Sequence, residues 1–169
     1  MTILRTERLA LSELSFDDAE FIVELLNDES FLRFIGDKRV RNTADAQEYL
    51  RNGPMDSYRR HGFGLYLVRR VSDATRIGIC GLLRRDGLDD PDVGFALLPD
   101  FRGCGYAFES ASAVVDHART GLGLKRILGI ANPDNHGSIR LLEKAGFGFE
   151  RRMRLSEDAA EINLYSIEA

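Results

Sequence analysis

A glycine-containing turn separates an apolar run from a helical pattern in the second half of the chain. The run, residues 93–98, has the length and the apolar character of a buried strand. After the turn, apolar residues recur at alternating steps of three and four, which is helical periodicity: Phe108, Ala111, Val115, Ala118 and Leu122. Unpaired N–H groups and the positive end of a helix dipole meet at such a junction, and Gly103 and Gly105 let the backbone come close to a ligand. The turn therefore predicts a site for a phosphorylated cofactor.

Size and composition limit the classes of protein to which the chain can belong. Its 169 residues, 44% hydrophobic and 30% charged, suit a single soluble globular domain over residues 1–169. A net charge of −4 argues against a nucleic-acid partner, and no apolar stretch approaches the roughly 18 residues of a membrane span. Two cysteines are too few for a disulfide framework, and residues 1–8 lack the order of a signal peptide. These features favour a cytoplasmic protein.

Periodicity and turn signals predict an α/β domain, or α+β in the broad sense, with a mixed sheet. Strands are predicted at residues 9–14, 63–70, 76–83, 93–98, 126–131, 147–155 and 161–167. Helices are predicted from the capping-box-like Ser15 to Leu26, at residues 30–35, from a Thr43 cap to His61 with a break at Gly53-Pro54, after the glycine turn, and at residues 136–145. Gly146 is predicted to end the last helix.

Two well-known phosphate-binding patterns do not fit residues 102–107. A P-loop requires Gly-Lys-Ser/Thr at the start of the helix, where this chain has Gly105-Tyr106-Ala107. The dinucleotide fingerprint requires a third glycine where Phe108 stands. Two interpretations remain: a glycine-rich connector with no ligand, or the pattern Arg/Gln-x-x-Gly-x-Gly/Ala, which Arg102, Gly105 and Ala107 satisfy.

That pattern and its surroundings resemble the GNAT N-acetyltransferase superfamily. Residues 93–110 resemble the family's central strand, acyl-CoA loop and helix, and residues 135–147 resemble its second motif in the expected order. Residues 6–11 resemble the start of the branch that acetylates the N-termini of ribosomal proteins. The resemblance covers nearly the whole chain. It implies one domain with a mostly antiparallel mixed sheet whose two central parallel strands splay apart between flanking helices.

The resemblance also implies acetyl-CoA as the cofactor, with its pantetheine arm in the gap between the splayed strands. Backbone groups at the end of the first of these strands would pair with pantetheine, and N–H groups of the turn would hold the pyrophosphate, with added charge from Arg102. Asn135 would help to hold the cofactor, and it is also a good N-cap. The predicted cofactor-binding residues are Phe95, Ala96, Leu97, Arg102, Gly103, Cys104, Gly105, Tyr106, Ala107, Asn135 and Ser138.

Two residues are predicted to take part in catalysis. Asp92 occupies the place where many relatives carry a glutamate that deprotonates the amine through water, although it also fits a simple turn residue. Leu142 stands where many relatives have a tyrosine acid, which leaves Ser138 as the candidate hydrogen-bond donor to the thiolate or carbonyl. Ser138 has a second interpretation as a polar residue in the first turn of a helix.

A weak base suits an amine that is easily deprotonated. An α-amine with a pKa near 8 costs about 1 kcal/mol to deprotonate at pH 7, whereas a lysine costs about 4 to 5 kcal/mol. We therefore expect an acetyl-CoA-dependent N-acetyltransferase that acts on a primary amine, above all a protein or peptide N-terminus, by direct attack on the thioester. The alternatives are a non-catalytic acyl-CoA-binding regulatory protein on the same fold and an acetyltransferase for a small-molecule amine.

Expectations about other ligands and partners are less specific. The acceptor site would lie between the first two helices and the final hairpin, where acidic residues would attract a cationic acceptor: Asp28, Glu29, Asp37, Glu157, Asp158 and Glu161. The three histidines lack ligand spacing, so no metal site is expected. The oligomeric state is expected to be a monomer or a homodimer.

Overall fold

An eight-stranded sheet runs through the centre of the protein, which a computed structural model describes over residues 2–168. The strands are β1 (Thr2–Arg5), β2 (Leu9–Glu13), β3 (Leu65–Arg70), β4 (Arg76–Leu83), β5 (Asp92–Leu97), β6 (Arg126–Ala131), β7 (Gly148–Met153) and β8 (Ile162–Glu168). Their order across the sheet is β1-β2-β3-β4-β5-β6-β8-β7. All neighbours are antiparallel except β5 and β6, which are parallel. The predicted mixed, mostly antiparallel sheet is confirmed.

Helices cover both faces of the sheet. They are α1 (Ala19–Leu26), α2 (Glu29–Phe34), α3 (Thr43–Asn52), α4 (Pro54–His61), α5 (Tyr106–Thr120) and α6 (His136–Lys144), with short 3-10 turns at Phe16–Asp18 and Pro99–Phe101. In the part of the chain that the structure describes, none of these helices has the length and apolar character needed to cross a bilayer.

Side-chain alternation along the strands divides the core into two clusters. On β3, Leu65 and Leu67 belong to the cluster under α1 and α3, whereas Tyr66 and Val68 belong to the cluster under α5. Because successive side chains of a strand point to opposite faces, a strand that is covered on both sides is apolar at almost every position. This explains why the central strands appear in the sequence as continuous apolar runs.

The parallel strands β5 and β6 are paired only where they begin. Asp92 lies beside Leu128 and Val93 beside Gly129, and no further pair follows along β5. On its other edge β5 stays paired with β4 along its whole length. From residue 94 onward, the edge of β5 that faces β6 is therefore open. This confirms the predicted splay of the two central strands.

Three local details differ from the sequence-based predictions or could not be obtained from them. The short strand β1 was not predicted, because four residues at the edge of a sheet carry little periodic signal. The predicted Thr43 cap is wrong, since the Asn42 side chain accepts the Asp45 N–H at 2.8 Å and caps α3. The sheet also places β8 between β6 and β7. The predicted break at Gly53-Pro54 is confirmed, with Pro54 opening α4.

Candidate active site

The N-terminus of α5 carries a group of backbone N–H groups that have no partner within the protein. Gly103 and Gly105 have φ angles of +74° and +84°, and Gly105 caps the helix without any side-chain hydrogen bond. The first backbone hydrogen bond of α5 is donated by Glu109 N to Gly105 O. Among residues 2–168, no acceptor is found for the N–H groups of residues 103–108. These unpaired donors, together with the helix dipole, form a site suited to an anion.

The open edge of β5 leads from these amides to the point where β5 and β6 meet. The backbone N–H of Leu98, just after β5, donates a hydrogen bond to Ile77 O on β4. Since backbone groups alternate between the two edges of a strand, Phe95 and Leu97 direct theirs toward the gap. Ala96 turns its backbone toward β4 and packs its side chain against the cluster under α1 and α3. The gap therefore exposes the backbone of Phe95 and the N–H group of Leu97, while Leu97 O already accepts hydrogen bonds from Arg102.

The guanidinium of Arg102 is bound within the chain. Its Nε and Nη2 donate to Leu97 O at 3.1 and 2.8 Å, its Nη2 also pairs with Asp28 at 2.5 Å, and its Nη1 lies 3.3 Å from Ser30 Oγ. These contacts connect the end of β5 to the start of α2. The role of Arg102 at a pyrophosphate stays a prediction. Cys104 is an exposed free thiol on the same turn.

Asp92 lies at the narrow end of the gap, as the first residue of β5, and its side chain is 0% exposed. Both carboxylate oxygens accept from Arg85 Nε, at 3.0 and 3.1 Å. Burial raises the pKa of Asp92 to about 6, and the nearby Arg85 charge opposes this rise. The group thus titrates close to neutral pH, although it is enclosed by protein and ion-paired.

The helix α6 begins shortly after the end of β6, the strand on the other side of the gap. Asn135 Oδ1 accepts from Ser138 N at 3.2 Å, so the predicted N-cap is confirmed. The Ser138 hydroxyl makes no hydrogen bond to any residue from 2 to 168, and the residue is partly exposed. It is therefore available to a ligand.

Leu142 packs directly beneath the point where the parallel strands separate. It is 1% exposed, and a Cβ built on Gly129 would lie 2.6 Å from its Cδ2. Gly129 pairs with Val93, the last residue of β5 that contacts β6. A hydrocarbon side chain at this position has no proton to donate, so the protein lacks a tyrosine-type acid here.

Half of the six acidic residues that are predicted to attract the acceptor are paired with arginines. Asp28 caps α2 and pairs with Arg102. Asp37 pairs with Arg41 at 2.6 Å, and Glu161 pairs with Arg152 at 3.5 Å. In contrast, three others form no ion pair with any described residue: Glu29, Glu157 and Asp158. The predicted attraction of a cationic acceptor stays a prediction.

A cavity of about 360 Å³ lies beside α3. Its lining includes Lys38 and Tyr49, and the Arg85 charge lowers the pKa of both groups. Burial is the larger effect for each: it lowers the pKa of Lys38 and raises that of Tyr49 to about 12. The cavity is therefore close to Arg85, the partner of Asp92. Sequence analysis missed this cavity and Arg85, because their proximity depends on loop positions.

No group of three or more His, Cys, Asp or Glu side chains within residues 2–168 is arranged to hold a metal ion. The polar groups that converge on the gap are thus amides, one hydroxyl and one carboxylate. Such a set is suited to binding an anionic, extended ligand and to moving a proton. It fits a transferase whose acyl donor carries a phosphorylated group.

Comparison with known proteins agrees with this class. Residues 8–148 match the family described as Acetyltransferase (GNAT) domain. The uncharacterized N-acetyltransferase YoaA of Bacillus subtilis (strain 168) is 28% identical over 171 residues, which covers 98% of this chain and 96% of YoaA. The chain belongs to the GNAT acetyltransferase family, and it is an acetyl-CoA-dependent acyltransferase.

Two solved structures show the same fold. RimL, a ribosomal alpha-N-protein acetyltransferase in complex with coenzyme A, has a TM-score of 0.85 and 18% identity, with coverage of 99% of this chain and 98% of RimL. The microcin self-immunity acetyltransferase MccE, in complex with acetyl-CoA and AMP, has a TM-score of 0.81 and 16% identity, with coverage of 97% and 94%. At these identities the likeness concerns the fold alone.

Proposed function

We propose that the protein transfers the acetyl group of acetyl-CoA to the α-amine of a peptide or protein N-terminus, by direct attack of the amine on the thioester. The observation that carries the donor half of this proposal is the set of unpaired N–H groups at residues 103–108, beside the open edge of β5. An anionic diphosphate satisfies such amides, and an extended pantetheine arm completes the edge of a strand.

In this arrangement the coenzyme lies along β5. The diphosphate binds the turn before α5, and the pantetheine amides pair with the backbone of Phe95 and Leu97. The thioester then reaches the point where Val93 and Gly129 are paired. Asn135 and Ser138 face the arm from α6. Cys104 and its neighbours contribute their backbone to the diphosphate site.

The reaction forms a bond from nitrogen to carbon and breaks the bond from carbon to sulfur. The neutral amine attacks the thioester carbonyl, and the tetrahedral intermediate collapses with loss of the coenzyme A thiolate. The amine proton passes through water to Asp92, whose pKa of about 6 suits a base that works near neutral pH. The Ser138 hydroxyl donates a hydrogen bond to the carbonyl oxygen or to the leaving thiolate.

An N-terminal α-amine is the acceptor that best suits this site. Its pKa near 8 requires little assistance, whereas lysine costs about 3 to 4 kcal/mol more to deprotonate at pH 7. Asp92 is weakly basic, and Leu142 supplies no acid. The fold that the chain shares with RimL, an alpha-N-protein acetyltransferase, supports the same choice.

A small-molecule amine is the second candidate. The cavity beside α3 combines cationic and anionic lining residues, including Lys38 and Glu48, and its 360 Å³ volume suits a small molecule. The shared fold with MccE, which is in complex with acetyl-CoA and AMP, supports this alternative.

An acceptor panel distinguishes the candidates. Release of free thiol from acetyl-CoA is measured with peptides bearing free N-termini, the same peptides with blocked N-termini and an internal lysine, polyamines, and amino-acid or nucleotide amines. The proposal predicts turnover with free N-termini and none with blocked peptides. Turnover on small amines alone supports the second candidate. Coenzyme A binding without turnover on any acceptor would contradict both.

A further inference from the structure

The turn between β1 and β2 contacts the glycine turn and the first turn of α5, which lie about 100 residues later in the sequence. Arg8 contacts Cys104, and Thr6 contacts Glu109. Thr6 and Arg8 belong to residues 6–11, the segment that resembles the start of the ribosomal branch. We propose that Arg8 is a further coenzyme-binding residue, whose Nη2 donates a hydrogen bond to the diphosphate of coenzyme A. The inference rests on the donor site proposed above.

Glu109, in the first turn of α5, is the anchor of this contact. Its Oε2 accepts from the Thr6 hydroxyl and from Arg8 N, and its Oε1 accepts from Arg8 Nε at 2.7 Å. Three donors therefore surround the carboxylate. The Arg8 charge offsets the negative charge of Glu109, which would otherwise repel a phosphate bound one turn away.

The guanidinium of Arg8 is also held on its other sides. Its Nη1 donates to Cys104 O at 3.0 Å, and its Cζ lies 4.4 Å from the centre of the Tyr106 ring. The Arg8 backbone is fixed as well, because Val71 N donates to Arg8 O at 2.8 Å. The side chain is thus oriented by contacts on both sides of the turn, and little rotamer freedom remains to be lost when a ligand binds.

These contacts leave Nη2 as the guanidinium nitrogen of Arg8 with no hydrogen-bond partner among residues 2–168. A Cβ built on Gly105 would lie 3.2 Å from Nη2, so this donor is adjacent to the glycine that caps α5. The Arg8 side chain is 43% exposed and hence reachable by a ligand. Nη2 therefore adds a cationic donor to the same anion site as the unpaired amides.

Arg102 provides an internal contrast. Its Nη2 already contacts both Leu97 O and Asp28, and its Nη1 contacts Ser30. Of these two arginines beside the turn, Arg8 is the one with a guanidinium nitrogen left for a ligand.

The test compares ligands with and without phosphates. Dissociation constants for coenzyme A and for pantetheine are measured by competition and calorimetry on the native protein, on Arg8→Ala, and on the control Arg59→Ala. Arg59 lies on α4 with its side chain 74% exposed, so Arg59→Ala removes the same charge from another part of the surface. Loss of one charge-assisted hydrogen bond predicts coenzyme A binding that is about 10- to 100-fold weaker in Arg8→Ala. Pantetheine binding stays within about 2-fold, and the kinetic loss falls on KM for acetyl-CoA rather than on kcat.

A further variant covers the case in which Arg8→Ala fails to fold, as judged by thermal unfolding. Arg8→Lys keeps the charge but cannot contact Glu109, Cys104 and the phosphate together, so coenzyme A binding weakens by about 3- to 10-fold without a matching change for pantetheine.

The outcomes separate this inference from the proposed function. If the native protein does not bind coenzyme A, the donor site itself is wrong. If the native protein binds it and the Arg8 variants bind it equally well, Arg8 is not a ligand and the donor site stands. An equal loss for coenzyme A and pantetheine would show that Arg8 only supports the fold of the turn, which would overturn the inference.

Discussion

The proposed donor and acceptor sides of the site differ in what they are made of. The donor side consists of backbone: two glycines with positive φ, the unpaired N–H groups of residues 103–108, and an open strand edge. The acceptor side consists of side chains on loops, several of which are already paired, such as Asp37 with Arg41. A backbone site depends on the path of the chain and little on side-chain identity, whereas a side-chain site can change its ligand without changing the fold.

The largest effect is expected from a charge placed in the backbone site. Gly105→Glu puts a carboxylate among the amides at a φ of +84°, where a non-glycine residue is strained. We expect coenzyme A affinity to fall by at least about 100-fold, because the new anion occupies and repels the phosphate site. Isothermal titration calorimetry measures the change.

Gly123→Glu is the matched control. Gly123 has a φ of +67°, open space around its Cα, and a position beyond the other end of α5. Gly123→Glu therefore introduces the same kind of backbone strain and the same charge away from the proposed phosphate site. Equal coenzyme A affinity in the two variants would refute the location of the phosphate site.

Asp92 lies at the start of β5, where this strand pairs with β6, and its substitution separates chemistry from binding. Asp92→Asn is expected to lower kcat/KM by about 100-fold or more, as the loss of a general base does, while coenzyme A binding is retained. The native rate should fall as pH decreases through about 6, where Asp92 becomes protonated, and the variant should lose this inflection. Asp86→Asn, at an exposed position nearby, is the control. An unchanged pH profile would exclude Asp92 as the base.

The same substitution has an opposite effect on stability. The pKa of Asp92 in the folded protein, about 6, exceeds the ordinary value of 3.8, so folding favours the protonated form. The stabilisation that protonated Asp92 gives to the folded protein is fully present below pH 3.8 and is lost as pH rises through 6. The difference is about 3 kcal/mol in the free energy of unfolding. Asp92→Asn should therefore be at least as stable as the native protein at pH 8 in thermal unfolding. A clear loss of stability would show that the ion pair with Arg85 dominates.

Asn135 tests whether a side chain on the donor side has one role or two. Asn135→Ala removes the cap of α6 and should cost about 1 kcal/mol of stability, whereas Asn135→Asp keeps an oxygen acceptor at the cap and should retain it. If the amide also binds the coenzyme, both variants should bind coenzyme A about 3- to 10-fold more weakly. Native affinity in Asn135→Asp would leave capping as the only role.

The smallest effect is expected on the acceptor side. Asp37 is half exposed and already paired with Arg41, so its charge adds little to the negative potential of the proposed acceptor surface. Asp37→Asn therefore changes that potential little. We expect less than about a 2-fold change in KM for any peptide acceptor in steady-state kinetics. A larger change would show that paired acids still select the acceptor.

Local patterns predicted most of the donor side and little of the rest. The bounds of β6, the glycine turn and the Asn135 cap follow from short-range periodicity and turn chemistry, and all three are present. The pairing of Arg85 with Asp92 depends on how the connection between β4 and β5 folds back. The contact of Arg8 with Glu109 spans about 100 residues. Such contacts are set by tertiary packing, which no sequence window contains.

The position of the diphosphate is the central claim, and a crystal structure of the protein with coenzyme A tests it most directly. The account predicts phosphate oxygens about 3 Å from N–H groups of residues 103–108, with pantetheine along the open edge of β5. A complex in which coenzyme A binds elsewhere while these amides stay unoccupied would contradict it.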